Sequence, residues 1–203
     1  MHTRFLIGLL FISVFSFAQN LKSGGRLKAE QAIMDIRHIT IALEVDPEKK
    51  TIDGYTETDL VLAEPSGVLL FDLWHEMKVS KIWVNGKAAS FTHTPDDLVR
   101  IQSATLLPAG KVKVKIAYGG TPGIAVRPPW TGGFQWERDA KGNPWIAVSC
   151  QSEGAKVYFP CKDHPSDEPN EGAEMIITVP KGLVVAAPGL LQKQSTKKNQ
   201  ALA

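Results

Sequence analysis

Nothing in this sequence concentrates charge of one sign. The formal net charge is +2, and no basic block exceeds a pair such as Lys197-Lys198. A nucleic-acid partner needs a dense positive face, so that class is excluded. Cysteine is nearly absent: Cys150 and Cys161 are the only two, too few for a structural zinc site. In an oxidising compartment they could pair, closing a short loop worth about 3 kcal/mol. Two unpaired buried thiols fit the apolar surroundings as well, and both alternatives stay open. His164, close after Cys161, adds one ligand and does not make a metal site.

The local signatures of catalysis are missing too. There is no G-x-S-x-G elbow and no glycine-rich phosphate loop with its lysine. His75-Glu76 starts like a zinc-binding H-E-x-x-H, but Val79 stands where the second histidine must be. Asp163, His164, Asp167 and Glu168 bring acids and an imidazole together, a combination capable of acid–base work. Clustered near Pro165 and Pro169, they read as an acidic surface turn. Trp130, Trp136 and Trp145 could form a sugar-stacking face, although packing in a β core accounts for them better.

The chain has one long apolar run, residues 5–15 (FLIGLLFISVF), preceded by Arg4 and followed by Ser16-Phe17-Ala18. That is the layout of a secretory signal with a small-x-small cleavage site. A membrane-spanning helix needs about 20 apolar residues, which this run lacks. Residues 1–18 are therefore expected to be a cleaved signal peptide, with an uncleaved anchor as the alternative. Export to the periplasm or the medium follows, with no membrane span after cleavage.

What is present is ordinary globular material: 43% hydrophobic and 22% charged residues in a chain long enough for one domain. Residues 19–34 are mostly polar and read as a flexible leader. From Asp35 onward the pattern is β. Ile39, Ile41, Leu43 and Val45 alternate with Thr40, Ala42 and Glu44, and Val112, Val114 and Ile116 alternate with lysines. Asn85-Gly86 is a strong hairpin signal, with a return arm expected over 87–93. Further strands are expected over 51–62, 68–73, 79–84, 98–101, 134–136 and 144–150. A last hairpin is expected to pair 175–179 with 183–187. No segment shows convincing helical periodicity, so the fold class is all-β: an antiparallel sandwich or curved sheet. Residues 192–203 form a polar tail.

Several blocks, in order, resemble the N-terminal β domain of the aminopeptidase N-like zinc metallopeptidases. They are the opening strand over 35–47, Ile52-Asp53-Gly54, Gly132-Gly133-Phe134, Gly142-Asn143-Pro144-Trp145, Ser149-Cys150-Gln151 and Phe159-Pro160-Cys161-Lys162-Asp163. The likeness covers about residues 35–190. It implies a saddle-shaped β domain, placed here at 35–191, that packs on a thermolysin-like catalytic domain. It also implies that a Glu or Gln ahead of the aromatic-Pro-Cys block holds the free α-amino group of a peptide substrate. Matching residue by residue puts Gln151 in that role, with Ser152 and Glu153 beside it. Gln in place of the commoner Glu resembles the epoxide-hydrolase-type relatives and implies weaker amine binding or a different substrate. An edge residue without a ligand is the alternative for Gln151. The family's zinc ligands, general base and G-x-M-E-N-type segment have no counterpart in these 203 residues. The expected reading is the amine-contacting domain of a secreted zinc aminopeptidase, cut short before its catalytic domain and inactive alone. No cofactor is expected in this chain, and zinc belongs to the full-length family. The contrasting expectation is a free-standing secreted β module that binds a peptide, glycan or protein partner.

Overall fold

The computed structural model describes residues 23–196. The expected signal peptide therefore lies outside the described residues, as does the end of the polar tail. Among the described residues, eleven strands follow a single helical turn, α1 (Ala29–Ala32). They are β1 (Met34–Asp46), β2 (Thr51–Leu62), β3 (Ser66–Asp72), β4 (Lys78–Val84), β5 (Lys87–Ala88) and β6 (Ser90–His93), then β7 (Leu98–Leu107), β8 (Gly110–Gly120), β9 (Gly133–Arg138), β10 (Pro144–Ser149) and β11 (Ala173–Thr178). A six-stranded sheet runs β11-β1-β2-β8-β4-β5, a three-stranded sheet runs β3-β7-β6, and β9-β10 form a separate hairpin. This is an all-β sandwich built from curved, unclosed sheets.

Periodicity explains which face is buried. Along β8, Val112, Val114, Ile116 and Tyr118 point into the core, while Lys111, Lys113 and Lys115 take the other face. Lys115 Nζ meets Glu57 at 2.8 Å and Lys113 Nζ meets Asp59 at 3.0 Å across the β2–β8 pair. Exposed pairs of this kind contribute little stability. The core joins the six-stranded and three-stranded sheets through Ile52, Leu60, Leu69, Phe71, Ile82, Val99, Ile101 and Ile116. Gly54 lets β1 and β2 approach closely, because a Cβ there would lie 1.9 Å from the Ala42 carbonyl oxygen.

Four expectations need correction. The return arm after Asn85-Gly86 does not run unbroken to His93: β5 stays with β4, and β6 joins β7 in the other sheet. Asn85 and Gly86 do adopt positive φ, 49° and 77°, as a tight hairpin requires. The chain then changes sheets at Ala89, so each arm is short. The strand expected over 98–101 extends to Leu107, since pairing with β3 resumes at Ser66–Leu107 after an irregularity. The terminal hairpin is absent. β11 pairs in parallel with β1 (Ile41 opposite Met175), and residues 183–187 form no strand. Apolar residues there pair with no strand, and β propensity without a partner does not make a strand. Finally, the segment expected as a flexible leader is anchored from Ser23 onward. Gln31 is buried and donates to Asp72, Lys28 Nζ reaches the same carboxylate at 3.0 Å, and Arg100 meets Glu30 at 2.7 Å. Those contacts involve residues far apart in sequence, so local composition could not reveal them.

Candidate functional site

The residues matched to the family's amine contact lie on the turn that follows β10. Gln151 and Ser152 are exposed, whereas Glu153 is buried. Three bonds tie this turn to the loop before β9. Gly132 N–H donates to the Gln151 carbonyl at 3.0 Å, Ser149 Oγ donates to Pro129 O at 2.9 Å, and Ser152 Oγ donates to Trp130 O at 2.8 Å. Gly132 is required for this approach, since a Cβ there would lie 2.2 Å from the Ser149 carbonyl oxygen. Ser152 takes φ of 67°, an uncommon conformation for a residue with a side chain. Gly154 N–H closes the turn on the Cys150 carbonyl at 2.9 Å, and a 3-10 turn at Ala155–Val157 follows. The backbone of Gln151 is thus fixed, while its amide group has no hydrogen-bond partner among the described residues.

The aromatic-Pro-Cys-Lys-Asp block anchors that turn to the sandwich. Phe159 and Cys161 join the main core. Cys161 and Asp72 exchange backbone bonds, with N–H to O distances of 2.7 and 3.0 Å. Lys162 Nζ donates to Met34 O at 2.6 Å and pairs with Asp167 at 2.9 Å, both side chains being buried. Asp167 also accepts from the Ile36 N–H at 3.2 Å. Burial raises the Asp163 carboxyl above its ordinary value, with Ser23 and Lys156 pulling it back down and Asp72 pushing it up. Asp163 and Asp167 are therefore not a surface turn. They sit inside ion pairs that join distant parts of the chain, and only His164 and Glu168 of that cluster keep to the original description, His164 bonding Ser166 at 2.7 Å.

Other sequence candidates stay apart from this turn. His75 Nδ1 bonds Asp97 at 2.8 Å in a loop after β3, not on a helix. Of the three tryptophans, Trp136 packs partly against the core, but Trp130 and Trp145 are 60% and 63% exposed, so core packing does not account for them. Cys150 and Cys161 are free thiols, but only Cys161 is buried and Cys150 is exposed; partial loss of water around the Cys150 sulfur and full burial of Cys161 raise both above the ordinary value. Among the described residues no group of three or more His, Cys, Asp or Glu side chains is placed to hold a metal ion. The donor set does not fit the zinc that the family carries, and no chemistry through zinc is assigned to this chain.

Comparison with solved structures agrees with this architecture. An M1 zinc metallopeptidase variant from Deinococcus radiodurans bound to a Tyr-Ser-Ala substrate matches with a TM-score of 0.66 and 26% identity, over 82% of this chain and 37% of that one. A two-domain M1 zinc metallopeptidase variant bound to L-arginine matches with a TM-score of 0.67, again at 26% identity and 82% and 37% coverage. Native leukotriene A4 hydrolase from Saccharomyces cerevisiae shares the fold, with a TM-score of 0.59 and 20% identity over 73% of this chain and 24% of that one. No protein-family model and no curated protein matches the chain. Fold and order of elements define a β domain of the kind that opens zinc metallopeptidases. The chain is similar in fold and sequence to the N-terminal domain of M1 zinc metallopeptidases. It spans 37% of the length of the M1 relatives named above.

Proposed function

We propose that this chain supplies the substrate-amine contact of an exported zinc aminopeptidase whose zinc and catalytic groups lie in another part of the protein. The observation that carries the reading is Gln151: an exposed amide on a backbone tied to the β9 loop by the Gly132–Gln151 bond. An amide oxygen can accept a hydrogen bond from an ammonium group, although a carboxylate would hold it more strongly. Fixing the backbone beforehand lowers the ordering cost of binding. Selection of a free peptide N-terminus would follow, and an N-blocked peptide would be refused. The relatives bound to an amino acid and to a tripeptide support this substrate class. On its own, the 203-residue chain would not hydrolyse peptides, because it carries no H-E-x-x-H motif. Export rests on the apolar run at 5–15.

The test is made on the complete enzyme. Gln151→Ala is expected to raise KM for free-amine peptides several-fold while zinc content stays unchanged. An unaltered KM removes Gln151 from the site. In parallel, the 203-residue chain is incubated with zinc and an aminoacyl chromogenic substrate. Turnover abolished by a chelator would refute its inactivity.

A second reading rests on two exposed tryptophans, Trp130, whose carbonyl holds Ser152 of this turn, and Trp145, at the start of β10: a free-standing module that stacks sugars or binds a partner. Glycan binding lost in Trp145→Ala but kept in Gln151→Ala would favour it.

A further inference from the structure

A buried carboxylate sits directly beneath the candidate amine-contact turn, and the amine contact itself makes no use of it. The Asp163 side chain is 9% exposed. Gly154 rests against it so closely that a Cβ would lie 2.2 and 2.3 Å from its two oxygens. Gly154 has φ of 81°, so both space and backbone conformation demand glycine. Asp163 is itself held from several sides. Ser23 Oγ donates to Oδ1 at 2.9 Å, Lys156 Nζ lies 3.8 Å from Oδ2, and the Asp163 N–H donates to Asp72 Oδ2 at 3.1 Å. Lys156 Nζ also lies 3.6 Å from Asp97, and its carbonyl accepts from Trp74 N–H at 2.8 Å.

The turn is therefore gripped at both ends. On the β10 side, the carbonyls of Pro129 and Trp130 hold Ser149 and Ser152. On the far side, the carboxylate seats Gly154, and Gly154 N–H holds Cys150 O. Gln151 lies between these two grips. A buried carboxylate is an expensive way to fill space, since removing a charge from water costs more than burying a neutral amide. Its two oxygens face Gly154, with Ser23 and Lys156 as partners, so the charge is turned toward the backbone of this turn and toward its immediate supports.

We propose that Asp163 is a positioning residue for Gln151: seated against Gly154, its carboxylate fixes the turn that aims the Gln151 amide. This rests on the reading of Gln151 as the amine contact. The role is indirect, because Asp163 is buried under the turn and touches no substrate. It differs from the role of the neighbouring Lys162–Asp167 pair, which ties the chain to the start of β1 and leaves the turn alone.

Amide hydrogen exchange in the 203-residue protein tests the grip, read residue by residue by NMR. Asp163→Asn keeps the shape and removes the charge. It is expected to speed exchange at Gly132 and Gly154 about tenfold or more, while central amides of β2 and β8 keep their rates. Unchanged rates at Gly132 and Gly154 overturn the proposal, and so does a uniform rise across the whole domain. Gly154→Ala attacks the same contact from the other side and is expected to loosen the same two amides. In the complete enzyme, Asp163→Asn is expected to raise KM for free-amine peptides with kcat little changed. A KM that rises for Gln151→Ala but not for Asp163→Asn overturns the grip alone. A KM unmoved by Gln151→Ala overturns the amine-contact reading, and the exchange rates then judge the grip by themselves.

Discussion

Replacing Lys162 by methionine attacks the joint that fastens the segment after the candidate turn to the start of β1. In the native fold the Lys162 ammonium and the Asp167 carboxylate lie 2.9 Å apart, with side chains only 5% and 7% exposed. The ammonium also satisfies the Met34 carbonyl at 2.6 Å, and the carboxylate accepts from Ile36 N–H. Lys162→Met keeps the apolar stem but leaves Asp167 buried without its cation. Breaking such a pair from one side costs about 3–5 kcal/mol. A folded domain has roughly 5–15 kcal/mol in total, so the loss is a large share of it. For a chain of this length the melting temperature should fall by roughly 6–20 °C. Adding Asp167→Asn removes the stranded charge while keeping an acceptor for Ile36, and should restore about 2 kcal/mol. Urea titration followed by circular dichroism measures both variants at constant slope. The reasoning fails if Lys162→Met costs less than about 1 kcal/mol, or if the double variant is no more stable than the single one.

Two other perturbations probe the core. Gly54→Ala would put a methyl group 1.9 Å from the Ala42 carbonyl oxygen, between the paired β1 and β2. Because backbone on both sides must shift, about 3 kcal/mol or more should be lost, seen as a collapse of the urea midpoint. Alkaline pH should also loosen the fold. Burial raises the Cys161 thiol and the Tyr118 hydroxyl well above their ordinary 9.0 and 10.0, so the folded state keeps protons that the unfolded chain releases. Their contribution is complete below pH 9 and is lost as pH rises beyond it. A Cys161→Ser, Tyr118→Phe double variant whose stability falls as steeply above pH 9 as that of the parent would contradict this.

Strand positions were legible where one face is wet and one dry. β1, β2 and β8 declare themselves by alternation, and Asn85-Gly86 by its turn chemistry. The candidate turn was legible only through the order of short blocks, because Gln151 carries no local mark of its role. Asp163 and Asp167 were misread, since two acids among prolines look wet until Lys156 and Lys162 are brought against them.

By itself, the sequence determined the all-β class, the strand periodicity, the absence of a zinc-binding motif and the likeness to the M1 N-terminal domain. These depend on neighbours in the chain or on the order of motifs. The tertiary structure alone decided the parallel docking of β11, the division of the arm after Gly86 between two sheets, the anchoring of 23–34 and the burial of the acidic cluster. Each of those depends on pairs of groups far apart in sequence: a carboxylate is costly to bury alone and tolerable beside a cation, and only the folded chain brings the two together.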